Sequence, residues 1–252
     1  MDIELIAHIV VIAFACELVD SALGMGYGTM LTPMLLLMGY EPMEIVPAVL
    51  LSECVTGVLA GLAHHEFGNL NLKPGNRDFR IAVLLAALSV GGVLLAVAIA
   101  VNLPSWAVKT YIGVLVLGLG VFILLSRHRT PSFSWKRVSG LGFLAAFNKG
   151  ISGGGYGPVV TGGMLLSGVS SRSAVGITSL AEGVASAVGV IAYLLSAATI
   201  NWHLAPSLLL GAVLSVPVAV YIVSRMPAKR LTLGIGSLCL VLGVYTLLRL
   251  VL

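Results

Sequence analysis

The chain has 252 residues, of which 58% are hydrophobic and 10% charged, with a formal net charge of +4. Soluble domains carry about 25% charged residues, so this composition excludes a water-soluble fold and indicates an all-α polytopic membrane protein. The basic residues stand at the ends of apolar runs, where they act as topology signals and do not form a nucleic-acid-binding patch.

The first half is predicted to contain five helical segments, one of them short. Asp2 and Glu4 precede the first apolar run where a signal peptide would carry Lys or Arg, so we interpret that run as a retained span. The predicted segments are an apolar segment over 3–22, a short helix over 29–39 and spans over 43–65, 79–101 and 104–126.

The second half repeats this order of segments. Each short helix has about 11 residues and a length of about 16 Å, half of the roughly 30 Å hydrocarbon core, so neither can cross the membrane alone. Whether each pairs with the preceding segment as a re-entrant hairpin or as two crossings stays open, which gives about 8 to 10 membrane segments. The predicted segments are 138–151, 158–168, 172–196, 203–224 and 229–250.

The two halves are related in sequence. Aligning 24–63 with 153–192 without gaps gives 13 identities in 40 positions, where this composition would give about 4 by chance. A G-x-G-Y-G motif occurs in both halves, 129 residues apart. We therefore predict a first repeat over 1–126, a linker over 127–137 and a second repeat over 138–252 within one transmembrane domain.

The basic loops give the two repeats opposite orientations. The linker 127–137 and the loop 66–80 are rich in Lys and Arg and are predicted to be cytoplasmic. The loop 197–203, which matches 66–80, has no Lys or Arg. Eleven of the fourteen basic residues then lie inside, both termini are periplasmic, and the repeats have inverted topology.

The glycine motifs predict helix breaks at membrane depth. Such breaks are tolerated only where they are buried in protein or line a cavity, and inverted repeats with broken helices are typical of secondary transporters. Helix N-termini present free N–H groups, so two converging breaks would bind an anion. The alternative is that the glycines only allow close helix packing.

The candidate substrate-binding residues are those of the two motifs with their polar neighbours. The two tyrosines are either hydroxyl donors or packing residues. Lys149 either contacts the anion or pairs with Asp20, which occupies the equivalent position before the first motif. The candidates are Gly24, Gly26, Tyr27, Gly28, Lys149, Ser152, Gly153, Gly154, Gly155, Tyr156 and Gly157.

Three acidic residues are candidates for coupling or gating: Asp20, Glu53 and Glu182. Glu53 and Glu182 are each the eleventh residue of equivalent spans, which places both near the bilayer centre. Ionisable residues there are costly and are functional by default. They are interpreted as proton carriers, or as structural acids that hold the glycine loops.

The segments DSALGMGYGTMLTPMLLL and NKGISGGGYGPVVTGGMLL, the second followed by AVGITSL, resemble the TauE/SafE sulfite-exporter family, also described as toluenesulfonate-uptake permeases. This resemblance implies transport of a small sulfur-containing anion, such as sulfite or an organosulfonate, across a bacterial inner membrane. It leaves open the substrate, the direction of transport and the coupling ion. No cofactor and no metal are expected.

Two other functions are kept as alternatives. An anion channel can also be built from broken helices and central carboxylates. The sequence Gly-Ile-Ser-Gly at 150–153 matches the nucleophile motif of rhomboid-type intramembrane proteases, with His203 as the candidate base. His64 and His65 at a span end are interpreted as interfacial residues.

Overall fold

The computed structural model describes residues 3–126, 134–165, 169–196, 199–223, 233, 237 and 240–248. Within that part of the chain every regular element is an α-helix, which confirms the all-α prediction. Five of the helices are long and apolar enough to cross a bilayer, as expected of a polytopic membrane protein. Residues 127–133 of the predicted linker, and much of the predicted span 229–250, lie outside the described residues.

The helices follow the predicted segments to within a few residues at most ends. In chain order they are α1 (Ile3–Leu23), α2 (Tyr27–Leu37), α3 (Pro42–Glu66), α4 (Arg77–Ala100), α5 (Ser105–Ser126), α6 (Trp135–Ser152), α7 (Tyr156–Leu165), α8 (Ser171–Leu195) and α9 (Ala205–Val223). Residues 240–248 are helical as well.

The short helices α2 and α7 begin two residues earlier than predicted, and this corrects the extent of the glycine loops. The chain turns at Gly26 and Gly155, which have φ values of 140° and 78° that glycine adopts without strain. Helical conformation then starts at once, so the Tyr-Gly pair that closes each motif forms the first turn of a helix.

The segments α6 and α7 fold back on each other. A methyl group on Gly163, near the end of α7, would lie 2.5 Å from the Leu141 Cδ1 atom, near the start of α6. The start of one helix therefore meets the end of the next. A re-entrant hairpin and two crossings would both give this antiparallel contact, so the choice between them stays open.

The two halves of the chain are interlocked. Helix α1 packs against α9 of the second half, and its sequence counterpart α6 packs against α4 of the first half. The helices α3 and α8, which are also counterparts, cross in contact, and a methyl group on Gly57 would lie 2.7 Å from the Gly183 nitrogen. Small residues allow this close approach of helices in membranes.

Loops from both halves meet at each end of α3. At its start, the Asn201 Nδ2 donates to the Glu44 Oε1 at 3.1 Å. Beyond its end, the Ser173 hydroxyl donates to the Asn69 carbonyl oxygen at 3.5 Å. The loop before α9 thus lies at one end of the bundle, and the start of α8 lies at the other with the basic loop after α3.

Candidate functional site

The two helix breaks are in direct backbone contact with each other. A methyl group on Gly28 would overlap the Gly153 carbonyl oxygen, and one on Gly157 would lie 2.5 Å from the Gly24 carbonyl oxygen. These two contacts are equivalent under the alignment of the halves. Gly28, Gly154 and Gly157 therefore allow the two breaks to pack closely. Close packing was the alternative to anion binding that the sequence left open.

The start of α2 is capped by two carboxylates. The Tyr27 N–H donates to Asp20 Oδ1 at 3.1 Å, and the Gly28 N–H donates to Glu53 Oε1 at 3.2 Å. Carboxylates at a helix N-terminus satisfy free N–H groups and oppose the partial positive charge of the helix dipole. The Tyr27 and Gly28 N–H groups, which were expected to be free for an anion, are therefore hydrogen-bonded to side chains of the protein.

The second break is held by different partners. The Gly153 N–H donates to the Lys149 carbonyl, the Gly154 N–H to the Ser152 hydroxyl at 3.1 Å, and the Gly155 N–H to Thr29 Oγ1 at 2.9 Å. The expectation of free donors is therefore wrong for these three groups too. A substrate-binding role for the motif residues stays a prediction.

One buried lysine bridges the two central glutamates. The Lys149 ammonium donates to Glu182 Oε1 at 2.7 Å and also to Glu53 Oε2. All three side chains are buried, with exposed fractions of 0% for Lys149, 2% for Glu53 and 4% for Glu182. We refer to Glu53, Lys149 and Glu182 as the ion triad. It joins equivalent acids of the two halves through a cation that only the second half supplies.

Asp20 lies beside the triad without an ion pair to Lys149, so the suggested Asp20–Lys149 pair is replaced by the contacts just described. Glu17, one turn earlier, is buried and accepts a hydrogen bond from the Ser21 hydroxyl at 2.7 Å. Its second carboxyl oxygen has no hydrogen-bond partner among the described residues. The structure thus gathers four buried acids and one lysine in one region.

The two motif tyrosines are buried and hydrogen-bonded within the protein. The Tyr27 hydroxyl lies 2.9 Å from the Ser52 hydroxyl, and the Tyr156 hydroxyl lies 3.2 Å from the Ser89 hydroxyl. Buried tyrosines normally have such a partner. Both tyrosines therefore hold the first turn of a short helix against a long one. Each acts both as a hydroxyl hydrogen-bonding group and as a packing residue.

Threonines on the short helices also contribute polar groups near the breaks, although the glycine motifs do not mark them. The Thr161 hydroxyl donates to the Gly24 carbonyl at 2.7 Å and lies 2.8 Å from the Thr178 hydroxyl. Its counterpart Thr32 is 1% exposed and has no hydrogen-bond partner among the described residues. Their identity in the aligned halves was the available signal, since most other matches are glycines or aliphatic residues.

His64 corrects the interfacial interpretation. Its side chain is fully buried, and its Nε2 lies 3.1 Å from the Ser21 carbonyl oxygen just before the first break. In the second half the Tyr193 hydroxyl makes the equivalent bond to the Gly150 carbonyl at 2.8 Å. The C-terminal parts of α3 and α8 therefore each form a hydrogen bond to the last turns of the helix that precedes one break.

Ser152, the nucleophile of the protease alternative, bonds only to backbone groups among the described residues. Its hydroxyl donates to the Asn148 carbonyl at 2.8 Å and accepts the Gly154 N–H. His203 lines a surface pocket of about 560 Å³ at the start of α3, together with Glu44 and Asn201. Among the described residues the serine therefore has no histidine within hydrogen-bond reach, although a nucleophilic serine requires such a base.

These features define an all-helical, multi-pass membrane protein with two crossed helix breaks around buried charges. The family model described as sulfite exporter TauE/SafE matches residues 9–246, so the chain belongs to this family. The chain is 29% identical to the "Probable membrane transporter protein YtnM" of Bacillus subtilis (strain 168), over 94% of this chain and 81% of the relative. No solved structure matches the chain.

Proposed function

We propose that the protein is a secondary transporter of a small sulfur-containing anion, such as sulfite or an organosulfonate, in a bacterial inner membrane. The family description and the name of the relative support membrane transport. The observation that carries the proposal is the ion triad, a lysine held between equivalent acids where the two breaks meet.

An inverted repeat, the usual plan of such transporters, accounts for the reciprocal contacts. The packing of α1 on α9 and of α6 on α4 is what a pseudo-twofold exchange of the halves would produce. The paired contacts of Gly28 with Gly153 and of Gly157 with Gly24 follow the same exchange. Secondary transporters place their substrate between such repeats, near the bilayer centre.

The orientation that we propose is a cytoplasmic linker with both termini in the periplasm. The end of the bundle that holds the loop after α3 also holds the start of α8, and this end carries Lys73, Arg77 and Arg172. Cytoplasmic loops of bacterial inner-membrane proteins are enriched in such residues. The opposite end, with Asn201 and Glu44, is then periplasmic.

The ion triad links anion binding to proton binding. A buried ammonium without a partner is strongly unfavourable, so Lys149 keeps an anionic partner throughout the cycle. When Glu53 and Glu182 each take up a proton, an incoming anion replaces them beside the lysine. With both glutamates protonated, one monovalent anion such as hydrogensulfite or an organosulfonate neutralises the single ammonium, so the loaded triad carries no net charge as the repeats move.

Proton-driven uptake into proteoliposomes tests this function. Wild-type protein is expected to accumulate labelled sulfite or thiosulfate in response to a pH gradient, with saturation and with exchange against unlabelled anion. Binding should strengthen as the pH falls, by up to about tenfold per pH unit for each proton taken up. Flux that neither saturates nor follows the pH gradient would favour the anion channel.

Two variants identify the coupling groups. Glu53→Gln and Glu182→Gln remove one titrating group each but keep a polar side chain next to Lys149. We expect each to reduce the pH dependence of uptake, and the double variant to abolish it. Glu44→Gln is the matched control, because that glutamate lies in the first turn of the same helix as Glu53 and outside the triad. Unchanged pH dependence in the double variant would contradict the coupling scheme.

A further inference from the structure

We propose that the anion subsite lies at the second break, and that the Thr32 hydroxyl of α2 is one of its ligands. This inference rests on the proposed function. It adds to that function one ligand residue and the break at which the anion binds. Thr32 is 1% exposed, and its hydroxyl has no hydrogen-bond partner among the described residues. A buried polar group without a partner is unfavourable unless something else binds it.

The Thr32 hydroxyl faces the second break. A methyl group on Gly153 would lie 3.4 Å from Thr32 Oγ1. One turn earlier on the same face of α2, the Thr29 Oγ1 accepts the Gly155 N–H at 2.9 Å. The α2 helix therefore presents two hydroxyl groups along 153–155, of which Thr29 is engaged and Thr32 is free to donate.

The start of α7 lacks the caps that occupy the start of α2. Asp20, which accepts the Tyr27 N–H, is replaced at the equivalent position by Lys149, which has no acceptor group. Glu182, the counterpart of Glu53, directs Oε1 to Lys149, and its Oε2 has no hydrogen-bond partner among the described residues. Neither Lys149 nor Glu182 therefore caps the positive end of the α7 helix dipole as Asp20 and Glu53 cap that of α2.

These groups fit a small oxyanion. A hydroxyl donor, the positive end of a helix and an ammonium that its two acids release on protonation all favour an anion with several oxygen atoms. The first break has the opposite character, because its donors are bound to carboxylates. The two breaks thus have different roles: the first holds the acids in place, and the second binds the anion.

Thr32→Val tests the subsite, with Thr161→Val as the matched control at the equivalent position. Valine keeps the shape of threonine and removes only the hydroxyl. We expect Thr32→Val to leave the melting temperature of the anion-free protein unchanged or raised, and to weaken sulfite binding by about tenfold or more. Thr32→Ser should restore binding. Thr161→Val loses two hydrogen bonds, so it should lower the melting temperature and bind sulfite as the wild type does.

The outcomes separate this inference from the function on which it rests. If the wild type responds to sulfite and Thr32→Val binds it equally well, the subsite is wrong and the transporter proposal stands. A lowered melting temperature of anion-free Thr32→Val would show that the hydroxyl has a structural partner, which also overturns the subsite. If neither sulfite, thiosulfate nor sulfoacetate affects the wild type, both proposals fail.

Discussion

The two helix breaks share a backbone plan and differ in charge. Both turn at glycines with positive φ, at Gly24 and Gly26 and again at Gly153 and Gly155. Before the first break stands Asp20, and before the second stands Lys149. The acid caps the helix of its own half, whereas the lysine reaches both central glutamates.

This difference shows how a duplicated unit acquires two roles. The contact between the breaks requires glycine on both sides, so the geometry is the same in each half. The residue before the motif does not take part in that contact and is free to differ. A change from an acidic to a basic residue at this one position leaves the first break capped by acids of its own half and gives the second break a cation.

Removing the cation should have the largest effect. Lys149→Met leaves Glu53 and Glu182 buried together without a positive partner. Loss of one partner of a buried ion pair typically lowers the free energy of unfolding by about 3–5 kcal/mol. We expect a correspondingly large fall in the melting temperature in detergent, together with loss of anion binding. Lys109→Met, at a partly exposed lysine, is the control.

Exchanging the two charges sharpens the same comparison. In Asp20→Lys/Lys149→Asp the cation moves to the first half and the acid to the second. If the breaks are equivalent around the triad, the double variant should be more stable than the sum of the single variants predicts, by about 0.5–3 kcal/mol. An additive result would show that the two positions do not face the same acids.

Adding a methyl group where the two breaks touch tests whether their backbone contacts are symmetric. Gly28→Ala and Gly157→Ala each place a carbon against backbone of the opposite break, at the carbonyl of Gly153 or of Gly24. Overpacking of this kind typically lowers the free energy of unfolding by about 1–3 kcal/mol. Both variants should therefore melt at lower temperature, as measured by thermal unfolding in detergent.

The control for this pair is Gly118→Ala, because no atom lies within 4 Å of a carbon added there. Alanine at this helical position should leave stability unchanged or slightly improved. If only one of Gly28→Ala and Gly157→Ala is destabilised, the crossing is not reciprocal. That result would weaken the inverted repeat as well.

The smallest expected effect concerns the helix caps at the starts of α3 and α8. Glu41 caps α3 and forms an ion pair with Lys109 at 2.8 Å, whereas its counterpart Ser170 caps α8 without charge. The Lys109 hydrogen bond lowers the pKa of Glu41 below its ordinary value of 4.5. The pair therefore adds stability above that pH and loses it as the pH falls through the lowered pKa.

Lys109→Met should consequently lower the free energy of unfolding by only about 0.2–1 kcal/mol near neutral pH, since the pair is partly exposed. The difference from the wild type should vanish in melting curves recorded well below pH 4.5. Ser170→Ala should lower stability by about 1 kcal/mol at both pH values, because its cap has no titrating group. A Lys109→Met effect that persists in acid would contradict this assignment.

The order of the helices could be predicted from the sequence, because apolar runs and basic loops are local signals. The position of the breaks could be predicted as well, since the repeated glycines mark it. The partners of Lys149 could not, because the pairing with Glu53 spans 96 residues and depends on how the halves interlock. Nor could Thr32 be singled out, since only its missing partner distinguishes it from Thr161.

The interlocking of the halves also has a consequence during synthesis. Helix α1 packs on α9, which begins roughly 180 residues after α1 ends, so α1 enters the membrane long before its partner exists. At 5–20 residues per second the delay is roughly ten to forty seconds. Throughout it, Glu17 and Asp20 reside in a helix without its final neighbour. The nascent chain must therefore keep these acids neutral, or near the translocon or the membrane surface, until α9 has been synthesised.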